Sequence, residues 1–288
     1  MTPVPGNPFA ITAQNIYSNL VKRRRTSNWR GARLKISSPI TNPNGILSFN
    51  VESPYQEGET KIHVLLPDGF QVGDAASVLY VLPVEAYDGA LCGDGLEEVR
   101  KSDLHNRYQL ICVKPTFSHP PWYADHPSDP GIQQERHFLQ VVVPFIDQQF
   151  ISEVKSPRRL LVGFSKSGWG AFSLLLRQPD LFARAAAFDA PLGWQSPNRY
   201  GMGEVFGTQE NMDRYCVPEL LEPSAGKLGS EPRLALYGYS DFRGHHQFLH
   251  YRMLKLGIAH EYADGPGRNH RWDSGWLPDA INFLANRT

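Results

Sequence analysis

Ser165 has the surroundings that point most directly to chemistry. The apolar run Leu160-Leu161-Val162 leads into Gly163-Phe164-Ser165, and Lys166-Ser167-Gly168-Trp169-Gly170-Ala171 opens a helical pattern at once behind it. A strand that turns this tightly into a helix pushes one serine out of the backbone path, the arrangement called a nucleophile elbow. Strand and helix then nearly collide, so small residues must flank the serine, and Gly163, Ser167 and Gly168 meet that need. The helix also aims its positive end at the hydroxyl. The competing reading is a serine that only caps the helix.

A serine hydroxyl needs a base within hydrogen-bond reach, and the base needs a third group to orient it. After an elbow of this kind the chain order is serine, acid, histidine. His270 sits after the glycine-bearing loop 263–269, which follows an apolar segment ending at Tyr262. Asp241, in Gly238-Tyr239-Ser240-Asp241 after the run Leu234 to Tyr237, is the expected acid. Asp189, ending Phe188-Asp189-Ala190-Pro191, is the rival; before a proline it also reads as a turn former. Asp273 is too near His270 in sequence to be an easy partner.

The elements that must hold these residues are legible as alternating strands and helices. Strands are expected at Val78 to Leu82, Leu110 to Val113, Leu160 to Val162, Ala185 to Phe188, Leu234 to Tyr237 and Ala259 to Tyr262. Helical patterns fall at Gly95 to Ser102, Gln134 to Gln149, Gly168 to Arg177, Gln247 to Lys255 and Trp276 to Ala285. Such alternation implies an α/β fold, a mostly parallel sheet with helices on both faces and ligands beyond the strands' carboxyl ends. Before it, Ile46 to Val51 and Lys61 to Leu66 read as an antiparallel N-terminal edge. Residues 1–32 read as an N-terminal extension with a helix from Thr12, residues 33–288 as the α/β domain, and 192–229 as an insertion near the site.

Composition narrows the function classes. Hydrophobic residues are 41% and aromatics 11%, enough for a substantial core. Lys+Arg and Asp+Glu both number 29, and a net charge of zero offers no field for nucleic acid or an anionic membrane. Lys22-Arg23-Arg24-Arg25 reads as a solvated helix end. Three scattered cysteines form no disulfide framework or metal knot. The first 25 residues lack the apolar stretch of a secretory signal, and a cytoplasmic protein is expected. His245, His246 and His250 with Asp241 have partial metal-ligand spacing without a supporting cluster, so no metal and no other cofactor is expected. Trp122, Tyr123, Trp169 and Trp272, with Asp189, are expected to line the substrate site.

The chain resembles the Putative esterase branch of the α/β-hydrolase superfamily, which includes esterase D, enterochelin esterases, feruloyl and acetylxylan esterases and mycolyltransferases. The resemblance rests on the elbow Gly163 to Ala171 and on His270-x-Trp272, with Pro121-Trp122-Tyr123-Ala124, Val143-Pro144-Phe145-Ile146-Asp147 and Leu256 to Tyr262 in support. The branch typically has Met where this chain has Lys166 and Gly where it has Ser167. It also has His-Gly where this chain has Pro83-Val84-Glu85. Proline carries no N–H, so the resemblance implies an oxyanion hole made by Lys166 N–H together with Val84, Glu85 or Ala86. Glu85 is expected to turn away from the oxyanion or to select a cationic or hydroxylated substrate. The activity implied is a serine carboxylic-ester hydrolase acting through an acyl-enzyme on a small-molecule ester, with homo-oligomerisation left open. A catalytically silent binding protein of this fold, or an acyltransferase with the same three residues, are the alternatives.

Overall fold

The computed structural model describes residues 34–72, 77–154 and 156–286. The expected N-terminal helix and the basic run at 22–25 lie outside the described residues. Ten strands form one sheet: β1 (Lys35–Ile36), β2 (Ile40–Thr41), β3 (Leu47–Glu52), β4 (Glu59–Leu65), β5 (Ser77–Val81), β6 (Leu110–Pro115), β7 (Arg158–Phe164), β8 (Arg184–Phe188), β9 (Leu234–Tyr239) and β10 (His260–Gly267). Their order is β1-β3-β4-β6-β5-β7-β8-β9-β10, with β2 paired to β3. From β1 to β6 neighbours are antiparallel, and from β6 onward all are parallel. Helices on both faces of this sheet make it the expected α/β-hydrolase architecture.

The central strands are apolar without a break because both faces are covered. Along β5, Val78 and Tyr80 enter one core, while Leu79 and Val81 enter the other. Strand β8 repeats the pattern, with Ala185 and Ala187 on the first side and Ala186 and Phe188 on the second. The first layer includes helices Ser165–Arg177 and Val217–Leu228; the second includes Gly95–Lys101 and Leu277–Ala285. Residues 192–229 carry three helices, Met202–Phe206, Gln209–Asp213 and Val217–Leu228.

One expected element differs. The helix expected over Gln134 to Gln149 is interrupted by a π turn at Phe138–Val142 between Gln134–His137 and Val143–Phe150. Pro144 has no N–H to continue the ladder, and the Val143 N–H reaches back to Phe138 O instead. Other ends shift modestly: the elbow helix starts at Ser165 rather than Gly168, and the helix expected from Gln247 starts at Arg243. Among the described residues, no helix is long and apolar enough to cross a membrane.

Candidate active site

Five adjacent parallel strands deliver the candidate residues to one edge of the sheet. The ends of β5, β7, β8, β9 and β10 lead to Pro83, Ser165, Asp189, Asp241 and His270 respectively. Register keeps them level, since Phe164 pairs with Phe188 and Phe188 with Tyr237. This is the carboxyl edge at which such sheets bind ligands.

Ser165 is half-buried and holds a φ of 51°, a left-handed conformation that a residue with a Cβ rarely adopts. The strain is enforced by the collision of β7 with the helix behind it. A Cβ on Gly163 would lie 2.3 Å from Ser167 O, and one on Gly168 would lie 2.8 Å from Ala190 Cβ. Ser167 is also explained here. Its hydroxyl accepts from Phe164 N at 3.0 Å and donates to Phe164 O at 2.9 Å, stapling the turn where the family pattern has glycine. Gly163→Ala is expected to cost at least about 3 kcal/mol. Thermal denaturation should register a fall of about 6–12 °C or no folded protein at all; an unchanged midpoint would contradict the packing described.

His270 Nδ1 lies 2.6 Å from Asp189 Oδ2. A carboxylate only accepts, so Nδ1 carries the proton and Nε2 is left with a lone pair. The ring packs edge-on against Phe164, the residue before Ser165, at 4.8 Å between centroids, and no hydrogen bond joins the His270 and Ser165 side chains. Such contacts tighten when a substrate arrives. Asp189 is fully buried, with a φ of 39°. Burial opposes its ionisation, but His270 and the N–H groups of Ser240, Phe242 and Asp241 outweigh that and hold its carboxyl below the usual range.

The expected acid, Asp241, does not make this bond. Its side chain is exposed, and its own N–H donates to Asp189 Oδ2 at 3.1 Å, while Phe242 N–H donates to Oδ1 at 2.7 Å. The physical reason is that β9 runs two residues past Tyr237, so the turn presents backbone donors to Asp189 instead of a carboxylate to His270. Donor atoms of Asp189, Asp241 and His270 fall within 4.8 Å of one another, the one candidate metal grouping among the described residues. With Asp189 already accepting the imidazole and backbone N–H groups, the grouping fits a carboxylate–imidazole pair better than a cation. The histidines weighed as ligands are engaged elsewhere: His245 accepts from Gly193 N, His246 from Ala190 N, and His250 pairs with His260.

His246 supports Asp189 from below. Fully buried, its Nε2 accepts the Ala190 N–H at 2.9 Å, and burial lowers its pKa to about 4. An unfolded histidine titrates near 6.5, so the fold binds this proton less readily than the open chain. Stability from this site is complete above about pH 6.5 and is lost as pH falls towards 4, by roughly 3 kcal/mol. Melting curves from pH 7 to 4 should therefore fall less steeply for His246→Gln than for the wild type. Parallel curves would contradict this; comparing the two also separates His246 from the other buried histidines, His105 and His137.

The turn after β5 is the candidate oxyanion hole. The N–H groups of Val84, Glu85 and Ala86 make no hydrogen bond among the described residues and face no competitor for a ligand. Glu85 does turn away: Oε2 accepts Leu91 N at 2.8 Å and Oε1 accepts Cys92 N at 3.1 Å, closing the loop 85–92 on itself. Tyr123 OH donates to Pro83 O at 2.6 Å, and Asp88 binds Lys61 and His63, both at 2.7 Å. Trp272 N donates to Cys92 O at 2.9 Å, tying this loop to the His270 loop.

The aromatic residues expected at the substrate are placed in the core. Trp122, Tyr123 and Trp169 are wholly buried and Trp272 nearly so, because large apolar rings at strand ends gain more from packing than from lining an open cleft. Trp122 meets Trp169 edge-on, and Trp272 packs on Phe164 and Gly95. The wall beside His270 comes instead from Phe242, Trp194 and Tyr200. Phe242 lies 5.8 Å from the imidazole and 5.4 Å from Trp194, whose ring stacks on Tyr200 at 5.5 Å. Trp194 is one of the six aromatics that could form a wall by sequence; Tyr200, in the low-periodicity segment 192–229, and Phe242 carry no such signal.

Comparison with known proteins assigns a family to this fold. The pattern of the family described as Putative esterase fits residues 53–213, more than half of the chain. The chain belongs to that family. It is an esterase by family, with the α/β-hydrolase fold. Its fold is similar to an S-formylglutathione hydrolase from Agrobacterium tumefaciens, at TM-score 0.69 and 16% identity over 87% of this chain and 98% of that one. A ferulic acid esterase gives TM-score 0.63 at 20% identity, covering 83% and 96%. The fluorophosphonate-binding serine hydrolase F of Staphylococcus aureus gives 0.65 at 16%, covering 87% and 100%. A search of curated proteins found no significant match.

Proposed function

We propose that this esterase hydrolyses a small carboxylic ester through an acyl-enzyme on Ser165. His270 Nε2 takes the Ser165 proton as the hydroxyl attacks the acyl carbon, and returns it to the departing alcohol. Asp189 fixes the tautomer and stabilises the imidazolium that forms. The N–H of Lys166 and one N–H from Val84 to Ala86 receive the oxyanion. Water activated by the same imidazole then releases the acid. Asp241, exposed beside the pair, is assigned no proton-transfer role.

The observation that carries this reading is the 2.6 Å contact of a buried, ionised Asp189 with His270, beside a serine held in left-handed backbone. Strain of that kind costs about 1–3 kcal/mol and persists where the surroundings enforce it. The three cysteines are free, which suits the cytoplasmic location assigned here. Mixing the protein with excess p-nitrophenyl acetate should release one equivalent of p-nitrophenol per chain in a burst, then turn over steadily. A protein that binds the ester without releasing p-nitrophenol would overturn the proposal in favour of a binding role. Added alcohols that capture most of the acyl group would point to transfer rather than hydrolysis.

A further inference from the structure

We propose that Lys166 makes the cleft selective for esters that carry a carboxylate near the scissile bond. The inference rests on Ser165 being the nucleophile.

Lys166 follows Ser165 directly, so its side chain leaves the backbone at the reacting centre. It is half-buried, yet its ammonium makes no ion pair and no hydrogen bond among the described residues. Burial draws its pKa down, with Glu85 and Cys92 the charged or ionisable neighbours that oppose the shift. Neither neighbour forms an ion pair with it: the Glu85 carboxylate attracts the ammonium from beyond contact distance. Both Glu85 oxygens are committed to the N–H groups of Leu91 and Cys92, and burial pushes the Cys92 thiol up, keeping it neutral.

Two other charges near the site, Asp241 and Arg199, have no ion-pair partner among the described residues. Arg271 pairs with Asp273 and donates to Leu91 O. The exposed Asp241 lies with Asp189 and His270, and is not among the neighbours that act on Lys166. Arg199 sits 5.5 Å from the Trp194 ring centre, exposed and with no carboxylate partner among the described residues. An ammonium partly stripped of water and left unpaired is unfavourable by itself, and an incoming anion relieves that cost. Glu85, expected from sequence to favour a cationic or hydroxylated substrate, is already spent on its own loop.

The test compares kcat/KM for isosteric pairs, in wild type and in Lys166→Met, Lys166→Arg and Lys166→Glu. p-Nitrophenyl hemiglutarate against p-nitrophenyl valerate places the carboxylate on the acyl side. p-Carboxyphenyl acetate against p-carbamoylphenyl acetate places it on the alcohol side. In one arm the anionic-to-neutral ratio should be about 10- to 100-fold higher in wild type than in Lys166→Met. Lys166→Arg should retain the preference and Lys166→Glu should reverse it, and the wild-type preference should shrink as salt rises. If wild type hydrolyses the neutral esters but the ratio is the same in Lys166→Met in both arms, charge selection by Lys166 is overturned and the nucleophile assignment stands. If wild type hydrolyses none of the esters and takes no fluorophosphonate, both fall.

Discussion

Ser165→Ala should lose ester turnover by about 10⁴-fold or more while remaining folded, because the covalent route disappears and only binding and the oxyanion donors remain. The fold has no need of that hydroxyl, which makes no hydrogen bond of its own. Ser165→Gly sharpens the expectation. It should be just as inactive, yet more stable by about 1 kcal/mol, since glycine adopts a φ of 51° without the steric cost that serine bears. Steady-state kinetics with p-nitrophenyl acetate and a thermal melt read the two effects separately. Activity within tenfold of wild type in either variant would remove Ser165 from the mechanism.

The second large effect distinguishes two carboxylates. Asp189→Asn should lower kcat by about 10³- to 10⁴-fold, because an amide can donate to Nδ1 and so stabilise the tautomer in which Nε2 already carries a proton. Asp241→Asn should stay within about tenfold of wild type, since only its backbone N–H meets Asp189. The reverse ranking would return the acid role to Asp241, and equal modest losses would deny it to both.

This pair shows where sequence reasoning stopped. Ser165 and His270 could be proposed from sequence because steric and topological demands fall on their immediate neighbours: glycine two before the serine, and a glycine-bearing loop before the histidine. The two aspartates each follow an apolar strand, so spacing alone does not separate them. What decides between them is the length of β9, which continues through Tyr239, and a left-handed φ at Asp189 that folds the carboxylate back over the strand ends. Pro191, two residues on, made the segment look like an ordinary turn, and that masked the feature. Similarly, Ser167 departs from the family pattern by type, but its hydroxyl satisfies the Phe164 backbone, which only coordinates reveal.

The sheet was read well because β5, β6, β7 and β8 are buried on both faces, and uninterrupted apolar runs leave little alternative. The aromatic wall was not. Trp122 and Trp169 carry the same composition signal as Trp194, and only packing separates rings in the core from rings beside His270.

The most direct measurement of the central claim is peptide-level mass spectrometry after treatment with a fluorophosphonate. The account predicts one adduct, on Ser165, with labelling slowed by orders of magnitude in His270→Ala. An adduct on a different residue, or none on protein that is folded at pH 7, would contradict it.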